Sequence, residues 1–167
     1  MLCSNLIPKT VLIAGGTQGL GREIALHFSE CGTENIIVCG RDQKNGENTV
    51  REILKKGVFA DFVRADLSLV SGCRTVAHFC EKKTGAIDGL VYAAGVTDRG
   101  TIETTTEVVW DKIFDTNLKG AFFLTQSVLP LLKAGFGKSI VTICSFSSYC
   151  GRPEMIAYNA SKAGLPQ

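Results

Sequence analysis

Three polar residues near the end of the sequence have the types and spacing needed to move a proton. In SFSSYCGRPEMIAYNASKAGL, Ser145 precedes Tyr158 by thirteen residues, and Lys162 follows Tyr158 by four. A helix places residues i and i+4 on one face, so it would bring the ammonium of Lys162 beside the phenol of Tyr158. A positive neighbour lowers the pKa of a tyrosine from its usual value of about 10. The phenol could then exchange a proton with a carbonyl or alcohol oxygen, which the hydroxyl of Ser145 could hold.

The spacing Y-x-x-x-K alone is weak evidence for catalysis, because such a pair is ordinarily exposed on a helix. The predicted elements around the pair decide whether it can form a site. Short apolar runs alternate with longer amphipathic stretches along the chain. The apolar runs are typical of strands covered on both faces, as in a parallel sheet. The pattern predicts a doubly wound α/β fold with a parallel sheet. The predicted strands are 10–14, 35–39, 60–65, 89–93 and 139–144, and the amphipathic stretches are 20–31, 43–56, 69–83 and 107–132.

A glycine-rich turn follows the first predicted strand and could hold a phosphate. The stretch GGTQGLGRE spaces Gly15, Gly19 and Gly21 as G-x-x-x-G-x-G and opens a predicted helix. A helix N-terminus presents free N–H groups and attracts anions, and glycine lets the backbone approach a pyrophosphate closely. A plain strand-to-helix turn is the alternative for a glycine run alone. The position of this run favours a dinucleotide site.

The end of the second strand favours NADP over NAD. In IIVCGRD, Gly40 stands where an acidic residue would bind the ribose of NAD, and Arg41 follows it. A carboxylate would repel the 2′-phosphate of NADP, whereas an arginine accommodates it. Two alternatives stay open at this stage: Asp42 as a ribose partner, and Arg41 as an ordinary surface charge.

Two further strand ends could contact a dinucleotide. Asp66, in RADLS, could accept a hydrogen bond from an adenine amino group, or it could cap the following turn. The small residues of YAAGV would let a ribose lie close to the backbone, or they could serve tight packing alone.

Composition excludes several classes of protein. The chain has 167 residues, 45% hydrophobic, and its formal charge of +2 predicts no nucleic-acid partner. Seven cysteines without a C-x-x-C pair predict reduced thiols and a cytoplasmic protein. No apolar run approaches the ~20 residues of a membrane span, and neither histidine has metal-ligand spacing. We expect no membrane and no metal site.

Taken together, these features resemble the short-chain dehydrogenase/reductase family, and they cover almost the whole chain in the family's order. The resemblance implies a Rossmann-like sheet with strand order 3-2-1-4-5 and a cofactor at the switch point between strands one and four. The matching residues are Gly15-x-x-x-Gly19-x-Gly21, Asp66, Ala94-Gly95, Asn117 in DTNLKGAFF, Ser145 and Tyr158-x-x-x-Lys162.

The resemblance also implies a complete set of site residues. The catalytic set is Asn117, Ser145, Tyr158 and Lys162, with Asn117 holding a water beside Lys162 in a proton relay. Tyr158 and Lys162 are also expected to contact the cofactor, NADP. The other expected cofactor-binding residues are Gly15, Thr17, Gln18, Gly19, Leu20, Gly21, Arg41, Asp66, Leu67, Ala94 and Gly95.

The chain departs from the family pattern at two places and at its end. Ala14 replaces a threonine, and Tyr92-Ala93 replaces an Asn-Asn pair whose amide ties strand four to its neighbours, which predicts lower local rigidity. Family members continue with two more strands and a substrate-covering segment. We therefore expect residues 1–167 to form a single, C-terminally incomplete domain that has the catalytic residues and lacks the substrate pocket. The resemblance implies a homo-oligomer for a full-length form and leaves the assembly of this chain open.

Three functions are compatible with these residues. The first is hydride transfer between NADP(H) and a small-molecule carbonyl or secondary alcohol, with Tyr158 as general acid/base. The second is a cofactor-binding protein without catalytic activity, such as an inactive fragment or a regulatory module. The third, an epimerase or dehydratase, is disfavoured because those proteins usually carry G-x-x-G-x-x-G after strand one. The intact set of Ser145, Asn117, Tyr158 and Lys162 favours the first.

Overall fold

The computed structural model describes residues 7–166, in which five strands alternate with helices. A π-helical turn at Asp115–Lys119 joins α4 to α5, and a 3₁₀ turn at Phe146–Ser148 follows β5. The strands are β1 (Thr10–Ala14), β2 (Asn35–Gly40), β3 (Phe59–Arg64), β4 (Gly89–Tyr92) and β5 (Ser139–Thr142). The helices are α1 (Gly19–Glu30), α2 (Gln43–Leu54), α3 (Val70–Thr84), α4 (Glu107–Phe114), α5 (Gly120–Ala134) and α6 (Ile156–Ala163).

The strands form one parallel sheet in the order β3-β2-β1-β4-β5. This confirms the predicted α/β class and strand order. The chain leaves β1 toward β2 on one side, and β4 pairs with β1 on the other side. The carboxyl ends of β1 and β4 therefore flank the point where the winding reverses, which is where open α/β sheets bind ligands.

Alternating residues of β1 supply the centre of two apolar layers. Leu12 and Ala14 face the layer that α3 and α5 cover, while Val11 and Ile13 face the layer that α1 and α2 cover. Every residue of β1 and β4 is buried. These unbroken apolar runs form strands because both faces of a parallel sheet exclude water.

The edge strand β5 is less covered than the rest of the sheet. Ile140 and Val141 are 43% and 48% exposed, although they point to opposite faces. The strand ends at Thr142, two residues before the predicted end, and the backbone then leads through Ile143 to the 3₁₀ turn. The open edge lies beside the segment that carries Ser145.

The predicted helical stretch 107–132 is helical but not uniform. The π-helical turn Asp115–Lys119 interrupts it, with Asn117 at the centre of that turn. π-helical turns within α-helices often occur at functional sites because they reorient side chains and carbonyls. From the sequence alone, Asn117 is a polar residue in the middle of a helix. The structure shows that the helix widens into a π-helical turn at this residue.

Six of the seven cysteines lie within residues 7–166, and all six are free thiols. Cys39 on β2 and Cys73 and Cys80 on α3 are buried in the apolar layer between the sheet and the helices α3 and α5. Burial raises the pKa of Cys73 to about 11 and that of Cys80 to about 12, so these thiols act as small apolar side chains. Within the same residues, no helix is long and apolar enough to cross a membrane.

Candidate active site

A cavity of ≈ 430 Å³ opens at the carboxyl ends of the first four strands. All eleven residues predicted to bind the cofactor through the glycine turn and the strand ends line this cavity. Their contact with a cofactor stays a prediction. The lining residues are Gly15, Thr17, Gln18, Gly19, Leu20, Gly21, Gly40, Arg41, Asp42, Ala65, Asp66, Leu67, Ala93, Ala94, Gly95, Val96 and Thr116.

The glycines of the turn after β1 allow three backbone segments to meet. Gly15 has φ +79°, and a Cβ on it would lie 2.6 Å from the backbone nitrogen of Ala94. A Cβ on Gly21 would collide with the carbonyl oxygen of Gly15. The glycines thus bring the start of α1 against the backbone that follows β4, at the floor of the cavity.

The N-terminus of α1 is suited to an anion. The helix begins at Gly19, and its first turn contains no acidic residue. The first N–H groups of a helix have no partner within the helix, and the helix dipole adds partial positive charge there. The residues present therefore fit the pyrophosphate of a dinucleotide.

Close packing at the end of β2 requires a glycine at position 40. A Cβ on Gly40 would lie 2.8 Å from Cγ2 of Thr17, so even a small side chain would displace Thr17 from the cavity wall. Arg41 lines the cavity and is exposed. Asp42 caps α2, with its carboxylate accepting from the backbone nitrogen of Asn45 at 2.9 Å. The cap occupies Asp42 and weakens the alternative in which it binds a ribose.

The structure shows one of the two roles that the sequence leaves open for Asp66, the cap of the following turn, and the adenine contact stays a prediction. Its Oδ1 accepts from the backbone nitrogen of Ser68 at 3.0 Å and from the Ser68 hydroxyl at 2.8 Å. One carboxylate oxygen therefore caps the turn. The other oxygen makes no hydrogen bond to the part of the chain that the structure describes, so it can accept from a ligand in the cavity.

Asn117 is fully buried and links three parts of the site. Its Oδ1 accepts from the backbone nitrogen of Val96 at 2.8 Å, and its Nδ2 donates to the Val96 carbonyl at 3.0 Å. The same Nδ2 donates to the hydroxyl of Ser161 on α6 at 3.0 Å. The side-chain amide thus joins the π-helical turn to the cavity wall and to α6. Both protons of the Asn117 side-chain amide already donate to protein acceptors. A relay water at Asn117 would therefore have to donate to its side-chain Oδ1 or to its backbone carbonyl oxygen.

Lys162 points inward from α6 toward the cavity wall. The side chain is buried, and its Nζ donates to the Ile143 carbonyl at 2.7 Å. A Cβ built on Gly95 would lie 3.6 Å from this Nζ and 3.4 Å from Oδ1 of Asn117. Burial lowers the pKa of Lys162, because removal from water disfavours the ammonium. A buried lysine of this kind releases its proton more readily than one in water.

Ser145 and Tyr158 stand on the two segments that adjoin Lys162. Ser145 is half-buried and caps the 3₁₀ turn by accepting from the backbone nitrogen of Ser147 at 3.1 Å, which leaves its own O–H free to donate. Tyr158 is half-buried on α6, one turn before Lys162. Its hydroxyl forms no hydrogen bond within residues 7–166. Both hydroxyls are thus available to a substrate oxygen.

Several residues that hold the site together are absent from the sequence-based set. Ser148 accepts from the backbone nitrogen of Ser145 at 3.3 Å and donates to the Lys162 carbonyl at 2.9 Å, which ties the 3₁₀ turn to α6. The S-x-x-S spacing of a capping box could have indicated Ser148. Ser161 and the carbonyl of Ile143 have no comparable signal, because their roles arise only when α6 docks.

A family model of short chain dehydrogenases matches residues 9–167. Over 157 residues the chain is 31% identical to a 3-oxoacyl-[acyl-carrier-protein] reductase of Staphylococcus epidermidis, covering 94% of this chain and 64% of the relative. It is 33% identical to an NADP-dependent (R)-specific alcohol dehydrogenase of Lentilactobacillus kefiri, covering 94% and 62%. The crystal structure of an actinorhodin polyketide ketoreductase variant with NADPH superposes with a TM-score of 0.87 at 30% identity, covering 98% of this chain and 63% of that one.

The chain therefore spans less than two thirds of the length of these relatives. The family match nevertheless covers the glycine turn, the five strands and the segment from Ser145 to Lys162. The chain belongs to the short-chain dehydrogenase family.

Proposed function

We propose that this protein transfers hydride between NADP(H) and a carbonyl or secondary alcohol, with Tyr158 as the general acid/base. One observation carries the proposal. Nζ of Lys162 lies 3.6 Å from the position that a Cβ of Gly95 would occupy, and Gly95 lines the cavity of the glycine turn. A buried amine thus lies at the edge of the proposed cofactor site, one helical turn from a phenol that could donate to a substrate.

Each residue has a distinct role in the proposed reaction. A bound nicotinamide cofactor would supply or accept the hydride. Tyr158 donates a proton to the carbonyl oxygen during reduction, or takes one from the alcohol during oxidation. The free O–H of Ser145 donates to the same oxygen and stabilises its developing negative charge. Lys162 stabilises the phenolate and passes the replacement proton toward Tyr158.

The cofactor would be held by the residues that line the cavity. The N-terminus of α1 receives the pyrophosphate, Asp66 offers its free oxygen to the adenine, and Arg41 faces the 2′-phosphate. The relatives support the choice of NADP, because one is named as NADP-dependent and one was crystallised with NADPH. Their names also support a carbonyl or alcohol substrate. A homo-oligomer remains a prediction for a longer form.

The experiment is a spectrophotometric assay with a parallel binding measurement. NADPH binding is followed by fluorescence, and oxidation is followed at 340 nm with a panel of ketones. We expect tighter binding of NADPH than of NADH, and a carbonyl-dependent fall in absorbance. Binding without turnover on any ketone would support the non-catalytic alternative, and the absence of binding would contradict the cofactor site itself.

A further inference from the structure

A second arginine lies next to Arg41 at the end of β3. Nε of Arg64 donates to the backbone carbonyl of Arg41 at 3.2 Å. The register of the parallel pair places Arg64 directly beside Gly40, so the two residues face the same side of the sheet. Thr17 packs against Gly40, and both residues line the cavity, so Arg64 lies beside the cavity wall at the end of β2.

The two arginines have no counter-charge of their own. Among residues 7–166, no carboxylate lies within 4.0 Å of either guanidinium, whereas Arg22 pairs with two glutamates and Arg99 with one. The acidic residues nearest along the chain have other partners: Asp42 caps α2, Asp66 accepts from Ser68, and Asp61 pairs with Lys83. Both arginines are exposed and can adjust their side chains. Two arginines that are joined through a backbone carbonyl and have no paired acid favour a multiply charged anion.

We propose that Arg64 is a second determinant of 2′-phosphate recognition, acting together with Arg41. This inference rests on the proposed NADP site. Arg64 fixes the backbone of Arg41 through its Nε–H, and its remaining N–H groups add a second positive charge beside Gly40. A planar guanidinium can contact a carbonyl and a phosphate at once because its five donors point in fixed directions.

The test uses two probes that differ only in the 2′-phosphate: adenosine 2′,5′-bisphosphate and adenosine 5′-monophosphate. Their dissociation constants are measured by calorimetry for wild type, Arg64→Gln and Arg64→Lys, and NADPH is measured alongside them. We expect Arg64→Gln to weaken the bisphosphate about fivefold and to leave the monophosphate within about twofold. Arg64→Lys keeps the charge and loses the bridging geometry, so it should recover part of that loss.

Arg74→Gln is the matched control, because Arg74 is exposed on α3 outside the cavity and the change removes the same charge. The inference is wrong if Arg64→Gln binds the bisphosphate as tightly as Arg74→Gln does, or if both probes weaken by the same factor. If wild type binds both probes equally, this inference fails while the dinucleotide site stands. If wild type binds neither probe nor NADPH, the proposed function fails as well.

Discussion

At the scale of single residues, Lys162 links the fold to the proposed proton transfer. Its amine is buried and bonded to the Ile143 carbonyl, so its position depends on the backbone that leaves β5. Burial lowers the pKa of this lysine, which makes the ammonium costly to keep and easy to deprotonate. Burial of the Lys162 amine therefore destabilises the folded chain, and the same burial suits Lys162 to a proton relay.

Replacement of Lys162 by methionine tests this linkage through stability. The folded chain releases the Lys162 proton at a lower pH than the unfolded chain, whose lysine titrates near 10.5. Between those two pKa values the unfolded chain binds more protons, so the free energy of unfolding of the wild type rises with pH. Lys162→Met removes this rise. Urea denaturation at pH 7 and pH 10 should show wild type gaining stability relative to the variant.

Lys133→Met is the control, because Lys133 is exposed on α5 and has no burial to relieve. The interpretation would be contradicted if wild type and Lys162→Met differed by the same amount at both pH values. It would also be contradicted if the difference changed in the opposite direction.

At the scale of elements, the π-helical turn is held by a residue that departs from the family pattern. The sequence predicts that Tyr92, in place of an asparagine, loosens β4. The structure shows the phenol of Tyr92 buried and donating to the Thr116 carbonyl at 2.6 Å, so its hydroxyl ties β4 to the π-helical turn. Burial raises the pKa of Tyr92, which keeps this donor protonated. A Cβ on Gly120 would lie 2.5 Å from the Tyr92 hydroxyl, so the glycine makes room for it.

Removal of the Tyr92 hydroxyl should therefore weaken the fold. We expect Tyr92→Phe to lower the free energy of unfolding by about 1–2 kcal/mol, because it leaves a buried carbonyl with one partner fewer. Tyr149→Phe is the matched control, since Tyr149 is 77% exposed and its hydroxyl makes no bond within the described chain. Chemical denaturation of both variants decides the point. Equal stabilities for the two would mean that the hydroxyl contributes nothing.

The predictable part of this molecule is the part that local pattern encodes. The run Thr10–Ala14 is apolar on both sides of the pleat, and Gly15, Gly19 and Gly21 mark the turn that follows, so the fold class and the cavity floor can be predicted. The hydrogen bonds of Asn117 to Val96 and Ser161 cannot be predicted in this way, because they join residues 21 and 44 positions apart in the sequence. Such contacts depend on how helices dock, which a single sequence does not encode locally.

At the scale of the whole molecule, one carboxylate joins three strands at the end of the sheet opposite the cavity. Asp88, just before β4, accepts from the backbone nitrogens of Thr10 at 2.9 Å and Phe136 at 2.7 Å. Burial alone would raise the pKa of Asp88, but hydrogen bonds from Thr10, Phe136 and two further backbone N–H groups outweigh it and lower the pKa. The start of β1 and the approach to β5 are thereby fixed to β4.

Asp88→Asn should destabilise the protein by about 2 kcal/mol at neutral pH, because charged acceptors contribute more than neutral ones. Since the folded pKa lies below 3.8, the stability that the charge provides is present above 3.8 and is lost as the pH falls through the folded value. The difference in the free energy of unfolding between wild type and Asp88→Asn should therefore become smaller in acid. Thermal unfolding at pH 7 and pH 3 measures it, with the exposed Asp111→Asn as control. A gap that widens toward pH 3 would be inconsistent with this assignment.

The most direct test of the whole account is Tyr158→Phe, which removes one hydroxyl from α6 and leaves the cavity lining unchanged. NADPH affinity by fluorescence and carbonyl-dependent NADPH oxidation at 340 nm are measured on the same preparations of wild type and variant. The account predicts a turnover rate lower by about 10²- to 10⁴-fold, the usual contribution of a general acid/base, and a much smaller change in the NADPH dissociation constant. Turnover by Tyr158→Phe at the wild-type rate would contradict it.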